Sequence, residues 1–314
     1  MRIGVVREAS AAPLLVAVAA GYFRSEGLDP KLVFFESDAA ISAAVASGKV
    51  DFGLAALSPP FYSFAAAHEL KSIASRSSDQ TGFPLYALLV SGKARAAGLT
   101  GVRGLAHARI GTAGAETAAN YALFSIAARF SLAFAAIKTV PLKSPAGEIR
   151  ALARGEIDAA LLPYPVALHA VSTGQSLLLP SNFTRWQQGV VFTGAATIAA
   201  KRDFVARFVR AYQRGTAEYH LNFLEYDDGG DFIPGPHYDD YLRMIARELH
   251  LSPDLLSRTK SYCDRRANLD AADIEKQVRF WQDRGRLDKR ITAADLVDLS
   301  FIGEEIASPQ PSVR

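Results

Sequence analysis

The chain has 314 residues, enough for two domains of roughly 100–150 residues each. Hydrophobic residues make up 49% and charged residues 21%, which is typical of a globular protein and excludes a disordered chain. The formal net charge is only +3, and basic residues are interleaved with acidic ones, so we expect no nucleic-acid partner.

The first part of the chain alternates short apolar runs with longer helical patterns. Pro13 suits the first turn of a helix, and Gly27 suits the position just after a helix end. The order of these elements predicts a parallel sheet covered by helices. In chain order we expect a strand at 3–6, a helix at about 13–26, a strand at 31–35, a helix at about 39–47, and strands at 50–54 and 73–74.

The same alternation returns in the second part, and two apolar runs, at 85–90 and from 190 to 198, would connect the parts as a two-strand hinge. We expect a first lobe at 1–88, a second at 93–190, and a return to the first lobe with C-terminal helices at 195–314. The predicted elements of the second lobe are strands at 109–112, 138–142 and 157–162, with helices at about 117–130 and 146–153.

The second part also repeats the first at a constant distance along the sequence. Residues 46–54 read A-S-G-K-V-D-F-G-L, and residues 153–161, which lie 107 positions later, read A-R-G-E-I-D-A-A-L. The same offset carries Ile3-Gly4 onto Ile110-Gly111, and the K-x-V-x-x-x-S pattern at 31–37 onto 138–144. These matches predict two lobes of one plan with a ligand-binding cleft between them.

Several other classes of function find little support. Cys263 is the single cysteine, so no intramolecular disulfide forms, and no run reaches the roughly 18–20 apolar residues of a membrane span. The six histidines lack zinc-ligand spacing, and no nucleophile elbow or phosphate-binding loop is present, so we expect no metal, no cofactor and no catalytic residues. The aspartate-rich segment 225–238 lacks calcium-loop spacing and is interpreted as a solvated turn.

Four passages resemble a known family. Residues 21–28 read G-Y-F-R-S-E-G-L and residues 48–53 read G-K-V-D-F-G; in the second lobe, 99–105 read L-T-G-V-R-G-L and 155–160 read G-E-I-D-A-A. These passages are similar to motifs of the type II periplasmic solute-binding proteins for nitrate, alkanesulfonates, taurine and thiamine precursors. The resemblance covers nearly the whole chain. It implies an α/β fold of two lobes, each a mostly parallel sheet flanked by helices.

The resemblance also implies a function. Members of this family are the substrate-binding components of ABC importers, so we expect a small-molecule ligand, a membrane permease as partner, no direct membrane insertion, and a monomer. The family implies a periplasmic location. The first strand begins directly after Met1, so either an export signal has been removed or the protein stays in the cytoplasm. Enzymes on the same fold, such as menaquinone-pathway dehydratases and pyrimidine synthases, are the alternative.

Ligands of open α/β sheets bind beyond the carboxyl ends of strands, where helix N-termini present free N–H groups. Five such places follow the predicted strands. Their serines, threonine and aspartate could equally be helix N-caps, each worth about 1 kcal/mol. The candidate residues are Ser10, Ala11, Ser37, Asp38, Leu57, Ser58, Gly114, Ala115, Glu116, Thr117 and Tyr164.

Arg7 and Arg76 each follow an apolar run and could point into the cleft, where a bidentate clamp on a carboxylate or sulfonate would contribute roughly 1.5–3 kcal/mol. Each could instead form a surface or interlobe salt bridge. Aromatic candidates for stacking on a ligand ring are Tyr164, Trp186 and Phe83, which could also be packing residues.

The charge of the ligand is left open by these residues. The two arginines favour an organic anion such as a sulfonate or carboxylate, which we expect on family grounds. Glu116, where sulfonate-binding relatives have a serine-rich turn, disfavours an anion and keeps a heteroaromatic vitamin precursor as the second choice.

Overall fold

The computed structural model of the chain describes residues 1–114, 117–172, 177–179 and 185–302. Within these residues, two sheets of five strands each form the centres of two lobes. The first sheet contains β1 (Arg2–Val5), β2 (Lys31–Phe34), β3 (Phe52–Ala56), β4 (Leu70–Asp79) and β10 (Trp186–Gly194), in the order β2-β1-β3-β10-β4. The second contains β5 (Tyr86–Val90), β6 (Arg109–Thr112), β7 (Lys138–Pro141), β8 (Ala159–Pro163) and β9 (Leu177–Leu179), in the order β7-β6-β8-β5-β9.

Both sheets are mostly parallel. In the first sheet only β10 runs against the other described strands, and in the second only β5 does. The parallel strands are joined by helices, as the sequence pattern predicts. The predicted fold class, an α/β protein of two lobes with mostly parallel sheets, is confirmed.

The helices cover the faces of the two sheets. Those of the first lobe before the crossing are α1 (Ala12–Ala19), α2 (Tyr22–Ser25), α3 (Asp38–Ala46) and α4 (Pro59–Ala67). Those of the second lobe are α5 (Gly92–Ala96), α6 (Ala118–Arg129), α7 (Pro145–Ala153) and α8 (Tyr164–Ser172). The C-terminal helices are α9 (Ala195–Ala200), α10 (Arg202–Phe223), α11 (Tyr238–Leu249), α12 (Pro253–Arg258), α13 (Ala271–Asp283) and α14 (Ala293–Leu296). Short 3-10 helices span Ala9–Ala11, Val102–His107, Phe134–Ala136 and Leu299–Phe301.

The offset of 107 residues is reproduced in three dimensions. β1, β2, β3 and α3 begin 107 residues before β6, β7, β8 and α7. Arg2 pairs with Lys31 between β1 and β2, and Arg109 pairs with Lys138 between β6 and β7. The two sheets therefore have the same strand order and the same register, as expected from two lobes of one plan.

The turn before the third strand of each lobe shows the same equivalence at atomic scale. The N–H of Arg2 donates to Asp51 Oδ2 at 2.7 Å, and the N–H of Arg109 donates to Asp158 Oδ2 at 2.8 Å. Each arginine side chain also donates to the carbonyl of the turn glycine, Gly48 or Gly155. The aspartate of the G-x-x-D pattern thus stabilises the turn that leads into β3 and into β8.

One predicted helix is wrong in its extent. The helix expected at about 13–26 is two helices, because Gly21 between them adopts φ of 75°, which a continuous right-handed helix cannot contain. Gly27 has φ of 69° just beyond α2, as the prediction of a helix-terminating glycine requires.

The crossings between the lobes also differ from the predicted boundaries by a few residues. β5 pairs with β8, so residues 86–88 belong to the second sheet, and β10 pairs with β3 and β4, so residues 186–190 belong to the first. The chain passes to the second sheet between Asp79 and Tyr86, where the Leu85 N–H donates to Asp79 Oδ1 at 2.9 Å.

Among the C-terminal helices, α9 to α12 pack into the core of the first lobe. The long helix α10 lies against α1 and buries Phe208, whose ring stacks on Phe52 of β3 at a centroid distance of 3.7 Å. Burial of such rings gives this lobe its apolar core. None of the helices in the described ranges combines the length and the apolar character that crossing a membrane would require.

Candidate functional site

A cavity of about 280 Å³ lies between the two lobes. It is bounded by the residues that follow β1, by the crossing segment before β5, by the end of β8 and by the segment after α11. This is the place where parallel sheets present the carboxyl ends of their strands. Its lining residues are Arg7, Glu8, Ala9, Ser10, Pro84, Leu85, Tyr86, Pro163, Tyr164, Pro165, Gln188, Leu251, Leu255, Thr259, Lys260 and Ser261.

The wall from the second lobe is apolar and aromatic. Tyr164 begins α8 directly after β8, and its N–H donates to the Leu85 carbonyl at 2.9 Å, which holds the end of β8 against the crossing segment. Tyr86 begins β5 beside it. Two tyrosine rings with three prolines form a surface that suits the flat or apolar part of a ligand.

The wall from the first lobe is polar. Ser10 is buried in the 3-10 turn before α1, and its Oγ donates to Glu8 Oε2 at 3.4 Å. Ala11 is buried as the N-cap residue of α1, and no side chain caps that helix. Ser10 therefore lines the cavity as predicted for the first strand, whereas Ala11 is not among the lining residues.

Ser37 and Asp38 lie in a second depression, of about 430 Å³, at the ends of β1 and β2. Ser37 Oγ accepts from the Ala40 N–H at 3.3 Å, so it caps α3. Asp38 Oδ2 accepts from the Ala56 N–H at 3.1 Å, while Asp38 Oδ1 is buried and has no hydrogen-bond partner within the part of the chain that the structure describes. Burial raises the pKa of Asp38, and the Arg76 guanidinium opposes this rise.

The sequence pattern predicts that Arg76 follows a strand, but Arg76 lies inside β4. The apolar run at 73–74 ends early because the rest of β4 carries serines. These serines bond to glutamines of β10: Gln187 Nε2 donates to Ser75 Oγ, and Ser77 Oγ donates to Gln188 Oε1. Sequence reasoning missed this polar extension because it searched for apolar residues.

The Arg76 guanidinium is already surrounded by protein groups. Its side chain is 1% exposed; it lies 3.6 Å from Glu8 Oε2 and 3.9 Å from Asp38 Oδ1, and it donates to Gln188 Oε1 at 3.1 Å. A Cβ on Gly189 would lie 2.4 Å from Arg76 Nε, so only glycine leaves room for this side chain. Arg76 thus forms buried ion pairs within the first lobe, and not the surface or interlobe salt bridge that was the alternative to a ligand clamp. Its partners Glu8 and Gln188 line the cavity.

The remaining predicted helix N-termini lie outside the cavity lining. The Leu57 N–H donates to the Gln188 carbonyl at 2.7 Å, and Ser58 Oγ caps α4 by accepting from the Phe61 N–H. Thr117 Oγ1 donates to Asn120 Oδ1 at 2.9 Å at the start of α6, and the Gly114 carbonyl accepts from Thr112 Oγ1. Ala115 and Glu116 lie outside the described residues.

Arg7 and the other aromatic candidates occupy different positions. Arg7 lines the cavity, its guanidinium lies 3.7 Å from the Phe34 ring centroid, and its Nη1 donates to the Glu248 carbonyl. Trp186 is buried between Tyr86 and Tyr121, and Phe83 packs against Tyr226 and Tyr262.

Lys260 is a cavity residue that the sequence reasoning missed. Its Nζ lies 3.3 Å from the ring centroid of Phe232 and 5.5 Å from that of Tyr226, and no carboxylate pairs with it in the part of the chain that the structure describes. Burial lowers its pKa to about 8. No local sequence signal marks it, because the rings around it come from the segment after α10.

No group of three or more His, Cys, Asp or Glu side chains among the described residues is arranged to hold a metal ion. The aspartate-rich segment closes on itself: the Asp227 N–H donates to the Asp231 carbonyl and the Asp231 N–H donates to Asp227 Oδ1. It forms a hydrogen-bonded turn, and none of its residues is in the cavity lining.

Several solved structures have the same fold. The alkanesulfonate-binding protein SsuA from Xanthomonas axonopodis pv. citri, bound to MOPS, is 19% identical, with a TM-score of 0.64 over 96% of this chain and 98% of that one. The aliphatic sulphonate-binding protein SsuA from Escherichia coli is 14% identical, with a TM-score of 0.71 over 100% and 96%. The nitrate-binding protein NrtA from Synechocystis PCC 6803 is 12% identical, with a TM-score of 0.62 over 94% and 85%.

Their fold is the one that the resemblance seen in the sequence implies. No curated protein matches the sequence. A family model described as NMT1/THI5 like matches residues 8–222, which is more than half of the chain. The chain therefore belongs to the NMT1/THI5 like family.

Proposed function

We propose that this protein is the substrate-binding component of an ABC importer. It captures a small organic molecule in the interlobe cavity, closes around it and delivers it to a membrane permease, and it works as a monomer in the periplasm. The similarity of fold to periplasmic sulfonate- and nitrate-binding proteins supports this role.

The observation that carries the proposal is that the cavity has walls from both lobes. Ser10 and Glu8 follow the first strand of one lobe, and Tyr164 follows the third strand of the other. A ligand that touches both walls binds the closed arrangement better than the open one, so ligand binding and lobe closure are linked. The volume of about 280 Å³ is just below the ~300–1,000 Å³ that small-molecule sites occupy, so the ligand is small.

We propose an organic anion with an apolar or aromatic part as the ligand. Lys260 and Arg7 are cations at the cavity without carboxylate partners among the described residues, and an anionic group would compensate both. Tyr86 and Tyr164 would contact the apolar part. Arg76 acts indirectly, by holding Glu8 and Gln188 in the wall.

A neutral heteroaromatic ring is the second choice of ligand, and one observation favours it. Glu8 places a carboxylate in the wall and, with Asp38, already occupies the Arg76 guanidinium. A ring with N–H donors would bond to Glu8, whereas an anion would be repelled by it.

Thermal-shift screening against sulfonates, aromatic carboxylates, pyrimidines and flavins, followed by calorimetry on the hits, tests the proposal. We expect stabilisation by at least one small organic anion, with micromolar affinity, which corresponds to about −8 kcal/mol. We also expect the ligand to be recovered unchanged by mass spectrometry. A chemical product formed from the hit would support the enzyme on this fold instead, and hits among neutral rings alone would overturn the anion.

A further inference from the structure

Helix α13 lies between the two lobes and is bonded to both. On the side of the first lobe, Tyr62 of α4 donates its hydroxyl to Gln277 Oε1 at 3.0 Å, and both side chains are buried. Gln277 Nε2 in turn donates to the Gln187 carbonyl of β10 at 2.7 Å. These contacts attach α13 to the first lobe and to the strand that returns from the second.

On the side of the second lobe, α13 presents a carboxylate and an aromatic ring. Tyr121 of α6 donates its hydroxyl to Asp273 Oδ1 at 2.7 Å. The ring of Phe280 lies 5.4 Å from that of Tyr121 and 4.6 Å from that of Phe124, measured between centroids. The Arg284 guanidinium covers the outside of this cluster, 3.7 Å from the Phe280 ring.

The buried carboxylate of Asp273 links the second lobe to the first-lobe side of α13. Its side chain accepts from Tyr121 in the second lobe, and its other oxygen accepts at 2.8 Å both from the Gln187 N–H of β10 and from Gln277 Nε2. Burial raises the pKa of Asp273, and these donors oppose the rise. If α6 moved away from α13, a buried carboxylate would lose a donor, and the free-energy cost of that loss opposes separation at this place.

We propose that α13 is an interlobe clamp that fixes the pivot of lobe movement at Asp273. Sheet order gives the direction of opening: β2 and β7 are the edge strands farthest from the crossing strands in their sheets. The cleft then opens at the loops after β2 and β7, and the α4–α6 distance beside the clamp stays constant. Asp273 and Tyr121 are positioning residues, since neither lines the cavity.

Pulsed electron-electron resonance with spin-label pairs tests this clamp directly. One pair, at Ser63 and Arg129, spans α4 and α6 beside α13; the other, at Glu36 and Lys143, spans the loops after β2 and β7. All four residues are exposed, and the native Cys263 is buried. In the ligand-free protein we expect one narrow distance distribution for the first pair and a broad one for the second.

Tyr121→Phe removes the interlobe hydrogen bond but keeps the ring in its cluster. It should broaden the Ser63–Arg129 distribution, with the displaced population rising on the order of tenfold. Asp273→Asn should have the same direction of effect. Tyr219→Phe is the matched control, because Tyr219 is also buried and donates to the Ser261 carbonyl, and neither residue lies on α6 or α13; it should leave both distributions unchanged.

The proposal does not depend on the identity of any ligand. It is overturned if the Ser63–Arg129 pair is as broad as the Glu36–Lys143 pair in the unaltered protein. It is also overturned if Tyr121→Phe, folded as judged by circular dichroism, leaves the first distribution unchanged or affects it no more than Tyr219→Phe does.

Discussion

Glu148 is a buried acidic residue that destabilises the folded second lobe when it ionises. Its side chain is fully buried in the second lobe, neither carboxylate oxygen has a hydrogen-bond partner among the described residues, and burial raises its pKa to about 8. The equivalent position in the first lobe, 107 residues earlier, holds the buried Ile41. The second lobe thus has a titratable group where the first has an aliphatic side chain.

We expect Glu148 to make stability fall with rising pH. The folded protein holds the proton up to about pH 8, whereas the unfolded chain releases it near the ordinary pKa of 4.5. The contribution is therefore fully present below about pH 4.5 and is lost as pH rises toward 8, at up to about 1.4 kcal/mol per pH unit. Urea unfolding of the wild type and of Glu148→Gln from pH 5 to 8 measures this. Equal pH slopes for the two proteins would refute it.

Lys260 should make ligand affinity depend on pH above about pH 8. Because burial lowers its pKa to about 8, an anionic ligand contacts an ammonium at pH 7 and a neutral amine at pH 9. Affinity should fall by at most about tenfold per pH unit above pH 8. Calorimetry at both pH values should show this loss in the wild type but not in Lys260→Met, which binds weakly throughout. Lys49→Met, at an exposed position outside the cavity, is the control and should keep the wild-type pH dependence.

At the scale of elements, the sequence predicted most of the sheet strands because the repeat and the apolar runs carry them. β1, β2 and β3 and their counterparts 107 residues later were predicted within two residues of their observed bounds. β4 was predicted only in its apolar part, because its serines carry no apolar signal; in the structure Ser75 and Ser77 bond to Gln187 and Gln188 of β10. The ion pairs of Arg76 with Glu8 and Asp38 join three distant segments, and no local pattern contains them.

The two equivalent turns before β3 and β8 should respond alike to the same substitution. Asp51→Ala and Asp158→Ala each leave an arginine N–H without its acceptor, and each should lower the free energy of unfolding by about 1 kcal/mol. The Arg109–Asp158 ion pair that Asp158→Ala also removes is solvent-exposed and adds little. The double variant should lose the sum, because the turns lie in separate sheets. Guanidinium unfolding of the three variants measures this. A cost confined to one lobe would show that the repeat is equivalent in shape but not in energetics.

At the scale of the whole molecule, the fold brings together what the sequence separates. One cavity is lined by the residues after β1, the end of β8 and the segment after α11. These segments meet there because the chain crosses between the lobes next to β5 and β10. Ser10 and Tyr164 could be predicted from strand ends, whereas Gln188 and Lys260 could not. Gln188 lies inside β10, and the place of Lys260 depends on how the C-terminal helices return to the first lobe. Ligand capture at this cavity is the central claim.

Calorimetric titration of the best screened anion tests that claim most directly, with one altered residue in each wall. Tyr164→Ala removes a ring from the second lobe, and Ala9→Leu fills the cavity from the first. One ligand should bind per wild-type chain, and each variant should weaken binding by about tenfold or more, at 1.4 kcal/mol per factor of ten. Ala39→Leu, the same substitution at an exposed position outside the cavity lining, should bind like the wild type. Unchanged affinity in both wall variants would contradict the assignment of this cavity as the ligand site.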